Sequence, residues 1–521
     1  MNIKVPFRNL YSNDTTNLAT CISPYHPLGG YTGRDELRES VREVMGLADV
    51  HLIQLAHGQV PWYKSKIYPF EEHLKWWSEY FGVPYKKFKD LSGGNQYIYD
   101  GGDYLADFIE ACFDFGQVPF VSMRLNDEHH IEHIDQKGNM TGIHSISRFH
   151  AEHRHLMFGN DLSKWENRAL NWLYPEVPEH MLSLIEEQCE LYDIGGYELD
   201  FQRHPHMYDI KNTSVEERQN VTEAFISKVR SILNRTSRNG KYRYLSIRVP
   251  SNMAIWNELG LIPERMESLG VDIVNVSSYF YADQWVEREE FTKRMPNLAV
   301  YFEICHTTTR GVSLIKTGYD DFTFRRVTPN EIYSTAHLAY SAGAQGVSFF
   351  NFAYYREHGC EGRGPFNEPP FEAVGNVRDR DFVAKAPQHF FIAKGWERNS
   401  QLLRPFSEKT EYELEIYMEE PTDHWQTDFR MRITAAEELG DRTFEVFFNG
   451  EKGIPVNNIS EPYEEDNDYP PLHGNEANCR AWKIRQNAVI NGKNILTFVW
   501  NGISDTKPIR LNYIDIFPWN S

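Results

Sequence analysis

The chain has 521 residues, 41% of them hydrophobic and 14% aromatic, enough to bury a large core and a second domain. Its formal net charge of −20 repels nucleic acid and anionic membrane and sets both aside as partners. No apolar run approaches the ~20 residues of a membrane span, and the six cysteines form no CxxC pair of the kind that signals a zinc ribbon.

The opening segment, Met1 to Arg8, lacks an apolar signal region. That predicts a cytoplasmic protein, or a secreted or periplasmic one after removal of a leader. Strands are then predicted at Asn17–Ile22, His51–Leu55, Val118–Leu125, Gly196–Gln202, Tyr242–Val249, Val271–Ser277, Leu298–Cys305 and Gly346–Phe352. Helical patterns fall between them, at Arg34–Leu47, Phe70–Phe81, Leu105–Phe115, Val177–Leu191, Val215–Leu233, Ala254–Leu269, Glu287–Met295 and Pro329–Ala342. Thr328-Pro329-Asn330-Glu331 is a helix start, with Thr as N-cap and Pro in the first turn. Eight strands alternating with helices predict an α/β fold, a (β/α)8 TIM barrel over residues 1–398. An open doubly wound sheet would show a Gly-rich phosphate turn after an early strand, and none is present. A long insertion, Asp127–Pro175, follows the third strand and belongs on the face where such barrels build active sites.

Beyond residue 400 the texture changes to short alternating segments: Glu411–Met418, Asp428–Ile433, Arg442–Phe448, Arg480–Ile484, Asn494–Trp500 and Ile509–Phe517. Asn449-Gly450 and Asn491-Gly492 read as hairpin turns between them. Residues 399–521 therefore predict an all-β sandwich of jelly-roll type. Pro462–Pro471, acidic and Pro-rich, reads as a loop.

The chemistry concentrates at the strand ends. In Gly195-Gly196-Tyr197-Glu198-Leu199-Asp200-Phe201-Gln202-Arg203, strand alternation puts Glu198, Asp200 and Gln202 on one face. Two carboxylates on a buried face are costly unless they are paired or used. Glu303 stands alone in an apolar strand and is the natural second acid. Asp200 and Glu303 are the leading catalytic carboxylates, with Glu198 as substitute for either. Carboxylates, hydroxyl-binding donors and flat rings together suit a sugar. Arg124, Asn126, Asp127, His129, Arg203, Arg248, Tyr279, Asn351, Tyr354 and Trp62 are the predicted substrate contacts. Phe280, Phe302 and Phe352 read as core. His57-Gly58-Gln59 ends the second strand.

Gly196-Tyr197-Glu198-Leu199-Asp200-Phe201-Gln202-Arg203-His204-Pro205 resembles the "DGIxxDxxRxP" strand-four signature of glycosyl-hydrolase-like (β/α)8 proteins, and Met123–His129 looks like a companion strand-three signature. The resemblance implies that Asp200 lies in the active site and that the reaction is glycoside hydrolysis. One departure is Gly195, where the group carries an acid. If that acid is catalytic, its role passes to Glu198 or is absent. The expectation is a two-domain, cofactor-free and metal-free glycoside hydrolase acting on an oligo- or polysaccharide. Closure of the pocket by the insertion favours exo-action, and Arg124, Arg203, Arg248 and Arg356 leave an acidic or sulfated glycan open. Two rivals stand. One is a non-catalytic carbohydrate-binding protein on a degenerate barrel. The other is a metal-dependent hydrolase or isomerase using His129, His130, His133, His204 and His206, although these lack the spacing of a known metal motif.

Overall fold

The computed structural model describes residues 5–27, 30–55, 60, 62–135, 146–309, 324–356, 368–395, 401–403, 405, 411–460, 476–500 and 507–519. The chain divides into two compact units, Met1–Tyr279 with Phe291–Tyr301, and Phe280–Glu290 with Phe302–Ser521. Among the described residues no helix is long and apolar enough to cross a membrane. His57, Gly58, Gln59 and the Pro462–Pro471 segment lie outside them.

Eight strands close into a parallel barrel in chain order: β1 Asn9–Asp14, β2 Val50–Gln54, β3 Val118–Arg124, β4 Gly196–Asp200, β5 Tyr244–Pro250, β6 Ile273–Ser277, β7 Ala299–Cys305 and β8 Gly346–Phe350. Seven follow the predicted runs. The first does not: Thr15–Thr20 is a helix, and the strand lies upstream at Asn9–Asp14. Its sequence, NLYSND, hides it, because Asn9, Ser12, Asn13 and Asp14 are polar yet buried. Asn9 donates Nδ2–H to the Leu47 carbonyl at 2.8 Å, and Asp14 meets Arg124. Buried polar groups on both faces of a strand erase the apolar alternation that marks it.

The barrel is apolar at one end and polar at the other. Val5, Phe7, Leu10, Val50, Leu52, Phe120, Ile273 and Tyr301 pack together near the strand starts. Phe7 sets its ring edge-on to Phe120 and Tyr244, with centroids at 6.0 and 5.0 Å, and Tyr301 Oη–H donates to the Phe7 carbonyl at 2.7 Å. The N-terminal segment thus plugs the bottom, and the strand ends opposite hold the buried polar side chains. Register aligns them: Glu198 stands between Ser122 and Ser246, and Asp200 between Arg124 and Arg248. Tyr197 points the other way, and its hydroxyl meets Gln188 Oε1 of the helix Glu176–Leu191 at 2.7 Å, as period-two alternation requires.

The helix expected over Ala254–Leu269 is broken. It runs Met253–Glu258 and resumes as a 3-10 turn, Pro263–Arg265. Gly260 sits between them at φ +70, where a Cβ would meet the Arg218 carbonyl oxygen at 2.4 Å.

The C-terminal part of the chain forms a β-sandwich. One antiparallel sheet orders Phe390–Ala393, Leu511–Pro518, Phe429–Ala435, Cys479–Ile484 and Ile454–Val456; the other orders Glu411–Met418, Gly492–Trp500, Phe444–Phe448 and Glu451–Lys452. Inward residues Val446, Phe448, Met431, Ile433, Leu496, Phe498 and Trp500 share one core. Asn449-Gly450 is the predicted hairpin, both residues at positive φ, joining two paired strands. Asn491-Gly492 is not a hairpin. The strands before and after it, Cys479–Ile484 and Gly492–Trp500, belong to different sheets. Phe280, Phe302 and Phe352 are buried, in keeping with core packing.

Candidate active site

The polar network begins at Asp200, the last residue of β4, which is 0% exposed. Oδ1 accepts the backbone N–H of Gln202 at 2.9 Å and of Arg203 at 3.0 Å, so the turn after β4 wraps round the carboxylate. Oδ2 takes Arg248 Nη1 at 3.0 Å and Gln54 Nε2 at 3.4 Å. Arg248 also donates to Ser277 Oγ at 3.0 Å. Side chains from β2, β4, β5 and β6 therefore fix one carboxylate at the strand ends.

A second charged centre adjoins it. Arg124 donates Nη1–H to Asp127 Oδ2 at 3.1 Å, Nη2–H to Gln54 Oε1 at 2.9 Å, and Nη2–H to Asp14. Burial alone would lower its pKa, but the carboxylates of Asp14, Asp127 and Asp200 hold it above the ordinary arginine value. Burial likewise works to raise Asp127, yet His129, Arg124 and His204 hold it well below the carboxylate range. His129 Nδ1 bonds Asp127 Oδ1, and its Nε2 accepts Arg203 Nη2 at 2.7 Å. Arg203 in turn lies over the Tyr279 ring at 4.8 Å. His204, at φ +53, accepts the Glu128 N–H on Nδ1 at 3.0 Å, which ties the loops after β3 and β4 together.

Glu198 lies one layer below Asp200 and is 0% exposed. Ser122 Oγ donates to its Oε1 at 2.8 Å, Ser246 Oγ to its Oε2 at 3.0 Å, and Asn275 Nδ2 reaches Oε2 at 3.4 Å. Gly195 precedes β4, roughly 16 Å from Asp200 at ~3.3 Å per strand residue. A Cβ there would stand 2.2 Å from Val118 Cγ1, so a larger residue at the strand start would have to displace that side chain.

Of the predicted contacts, Arg124, Asp127, His129, Arg203, Arg248 and Tyr279 join the Asp200 network. Asn126 does other work. Its Nδ2 donates to the Leu170 and His206 carbonyls at 3.0 and 2.5 Å, and its Oδ1 accepts the Leu170 N–H at 2.9 Å, so it clamps the insertion to the β4 loop. Trp62 is buried against Tyr104, ring centroids 5.4 Å apart. Glu303, buried on β7, and Asn351 and Tyr354, which follow β8, belong to the second unit. There Asn351 is at φ +59, and the Tyr354 ring lies 5.1 Å from His306. Asp14, Gln54, Ser277 and Glu128 were not among the predicted site residues. Glu128 was legible as the acid between Asp127 and His129; Asp14 was hidden with its strand.

Asp127, His129 and His204 place one potential ligand atom each within 4.8 Å of one another. Here Asp127 takes Arg124 and His129, and His129 Nε2 accepts from Arg203, so the cluster is joined to two guanidinium groups. His130 and His133 stack on each other at 6.0 Å, and His206 stacks on Phe158 at 4.3 Å.

The insertion leans on the network. Trp165 sets its ring edge-on to His204 at 5.0 Å and to His129 at 5.8 Å, under Arg168 at 4.5 Å.

No protein-family model matches the chain, and no curated protein matches it. Solved structures to which it is similar include a glycoside hydrolase family 5 protein from Bacteroides vulgatus, at 10% identity over 93% of this chain and 90% of that one, TM-score 0.39. They include the PgaB (BpsB) glycoside hydrolase domain from Bordetella bronchiseptica, at 10% identity over 72% and 99%, TM-score 0.38. An alpha-amylase from Geobacillus thermoleovorans complexed with acarbose follows, at 11% identity over 96% and 99%, TM-score 0.36.

Proposed function

We propose that the protein is a glycoside hydrolase in which Asp200 is a catalytic carboxylate, acting as nucleophile or base. The observation that carries this reading is the immobilised Asp200 carboxylate at the end of β4, ringed by Arg124, Asp127, His129, Arg203 and Tyr279. Strand ends on that face are where such barrels do chemistry. A fixed carboxylate with donors and a ring beside it is what hydrolysis of a glycosidic bond asks of a protein. The substrate is a glycan. Arg124 and Arg248 are neutralised by Asp14, Asp127 and Asp200, which favours a neutral sugar over a sulfated or acidic one. Trp165 packed against His129 and His204 covers one side of the network, which favours exo-action.

The test is a hydrolysis screen of the whole protein on neutral and sulfated oligosaccharides, with and without EDTA. Release of reducing sugar from a neutral substrate, unchanged by EDTA, is the expected result. Turnover abolished by EDTA would replace this reading with the metal-dependent one. Tight binding of a glycan with no turnover would replace it with a carbohydrate-binding protein.

A further inference from the structure

Among the described residues, Asp200, Glu198, Asp127 and Glu128 are the buried carboxyl groups on β3, on β4 and in the turns that follow them, and three of these have both oxygens engaged. Asp200 takes two backbone N–H groups, Arg248 and Gln54; Glu198 takes Ser122 and Ser246; Asp127 takes His129 and Arg124. The fourth is Glu128, four residues past the end of β3 and 1% exposed. Its Oε2 is buried and has no hydrogen-bond partner among the described residues. An ionised carboxylate with an open oxygen in a closed site is strongly disfavoured. A neutral carboxylic acid is not, and its O–H has no acceptor within hydrogen-bond reach among the described residues.

We infer that Glu128 is the general acid of the reaction, donating its proton to the oxygen of the departing sugar; this rests on the glycoside-hydrolase reading above. Its place is fixed on both sides. Asp127 is held by Arg124, His129 by Arg203, and the Glu128 N–H by His204. Two further buried polar atoms on the adjoining loop, Gln202 Oε1 and His204 Nε2, also lack partners among the described residues. Unsatisfied groups collected on two joined loops mark where a polar ligand completes the bonding. The charged groups felt by Glu128 are Asp127, Arg168 and Glu166. Burial first, and then the Asp127 charge, push its pKa up from 4.5 to about 8. The acid is therefore in its proton-bearing form near neutrality, as a general acid must be.

The step balances. The Glu128 proton passes to the glycosidic oxygen, and the bond from the anomeric carbon to that oxygen breaks with its electron pair leaving on the oxygen, as an alcohol. Water adds to the anomeric carbon and gives up one proton, and Glu128 regains one. Glycoside and water become two hydroxyl compounds.

The test uses aryl glycosides of whichever sugar the wild type hydrolyses, one with a poor leaving group (phenyl) and one with a good one (2,4-dinitrophenyl). Glu128→Gln is expected to lose about 10²–10⁴-fold in kcat on the phenyl glycoside. It should stay within about tenfold of wild type on the dinitrophenyl one, whose leaving group needs no proton. The alkaline limb of the pH–rate profile should vanish with it. Equal loss on both glycosides, or undiminished turnover of the phenyl glycoside with the alkaline limb intact, would overturn the assignment alone. A wild type inert to every glycoside would overturn the hydrolase reading and this one together. Thermal melting of Glu128→Gln at pH 5, where both side chains are neutral, separates misfolding from lost chemistry. If that variant melts early, Glu128→Asp takes its place, with an intermediate loss confined to the phenyl glycoside as the supporting result and equal loss on both as the contrary one.

Discussion

Arg248 and Asp200 neutralise each other at 3.0 Å inside the barrel, 1% and 0% exposed. Removing one partner of such a pair strands the other, at about 3–5 kcal/mol. Arg248→Met is therefore expected to lower stability by about 3 kcal/mol in urea unfolding; a loss below about 1 kcal/mol would show that Asp200 does not depend on it. Glu128 carries the opposite signature. Its folded pKa, about 8, lies above the ordinary 4.5, so its contribution is complete below pH 4.5 and declines as pH rises towards 8. Wild type should lose stability relative to Glu128→Gln between pH 5 and 8. A constant difference across that range would mean the acid is not buried in neutral form.

At the scale of elements, the segment after β2 is tied down by one side chain. Glu187, on the helix Glu176–Leu191, accepts Tyr63 Oη–H at 2.9 Å, Ser65 Oγ–H at 2.6 Å, and the N–H groups of Lys66 and Ile67 at 2.5 and 2.9 Å. Hydrogen bonds to a charged group are worth about 1.5–3 kcal/mol each. Glu187→Ala should free residues 63–67, seen as faster proteolysis within that stretch with the rest of the chain still folded. Unchanged cleavage would show that packing alone holds it. Gly260→Ala should destabilise by more than 1 kcal/mol or so, because an alanine at φ +70 would press on the Arg218 carbonyl. Elements with clean periodicity were legible: Phe70–Phe81 and Glu411–Met418 have the bounds their patterns predict. The first strand was not, since buried polar residues stand on both its faces: Asn9 meets the Leu47 carbonyl and Asp14 meets Arg124. The split helix was missed because Gly260 and Pro263 were read within a pattern that their backbone preferences interrupt.

For the whole molecule, buried histidines set the acid limit. Burial lowers His51, His73, His150 and His337 to about 4, and partial burial lowers His130 to about 4 and His180 to about 3. Each unfolded histidine takes a proton near pH 6.5 that the folded one refuses, so stability should fall as pH drops from 6.5 towards 4. Melting temperatures flat over that range would contradict the burial of these rings. The β4 face was readable because strand alternation is strict: Glu198 and Asp200 point inward, Tyr197 outward. What alternation could not rank was depth, and depth separates Asp200 at the rim from Glu198 on the floor. Nor could it find which acid lacks a partner, a property of folded neighbours alone. Asp200 is the residue on which the proposed chemistry depends. The decisive measurement compares wild type, Asp200→Asn and Glu303→Gln on the best glycoside from the screen, with binding of that sugar measured alongside. Asp200→Asn should bind it and lose about 10³-fold or more in kcat. Turnover by Asp200→Asn within a few-fold of wild type would contradict the account and remove the Asp200 network from the chemistry.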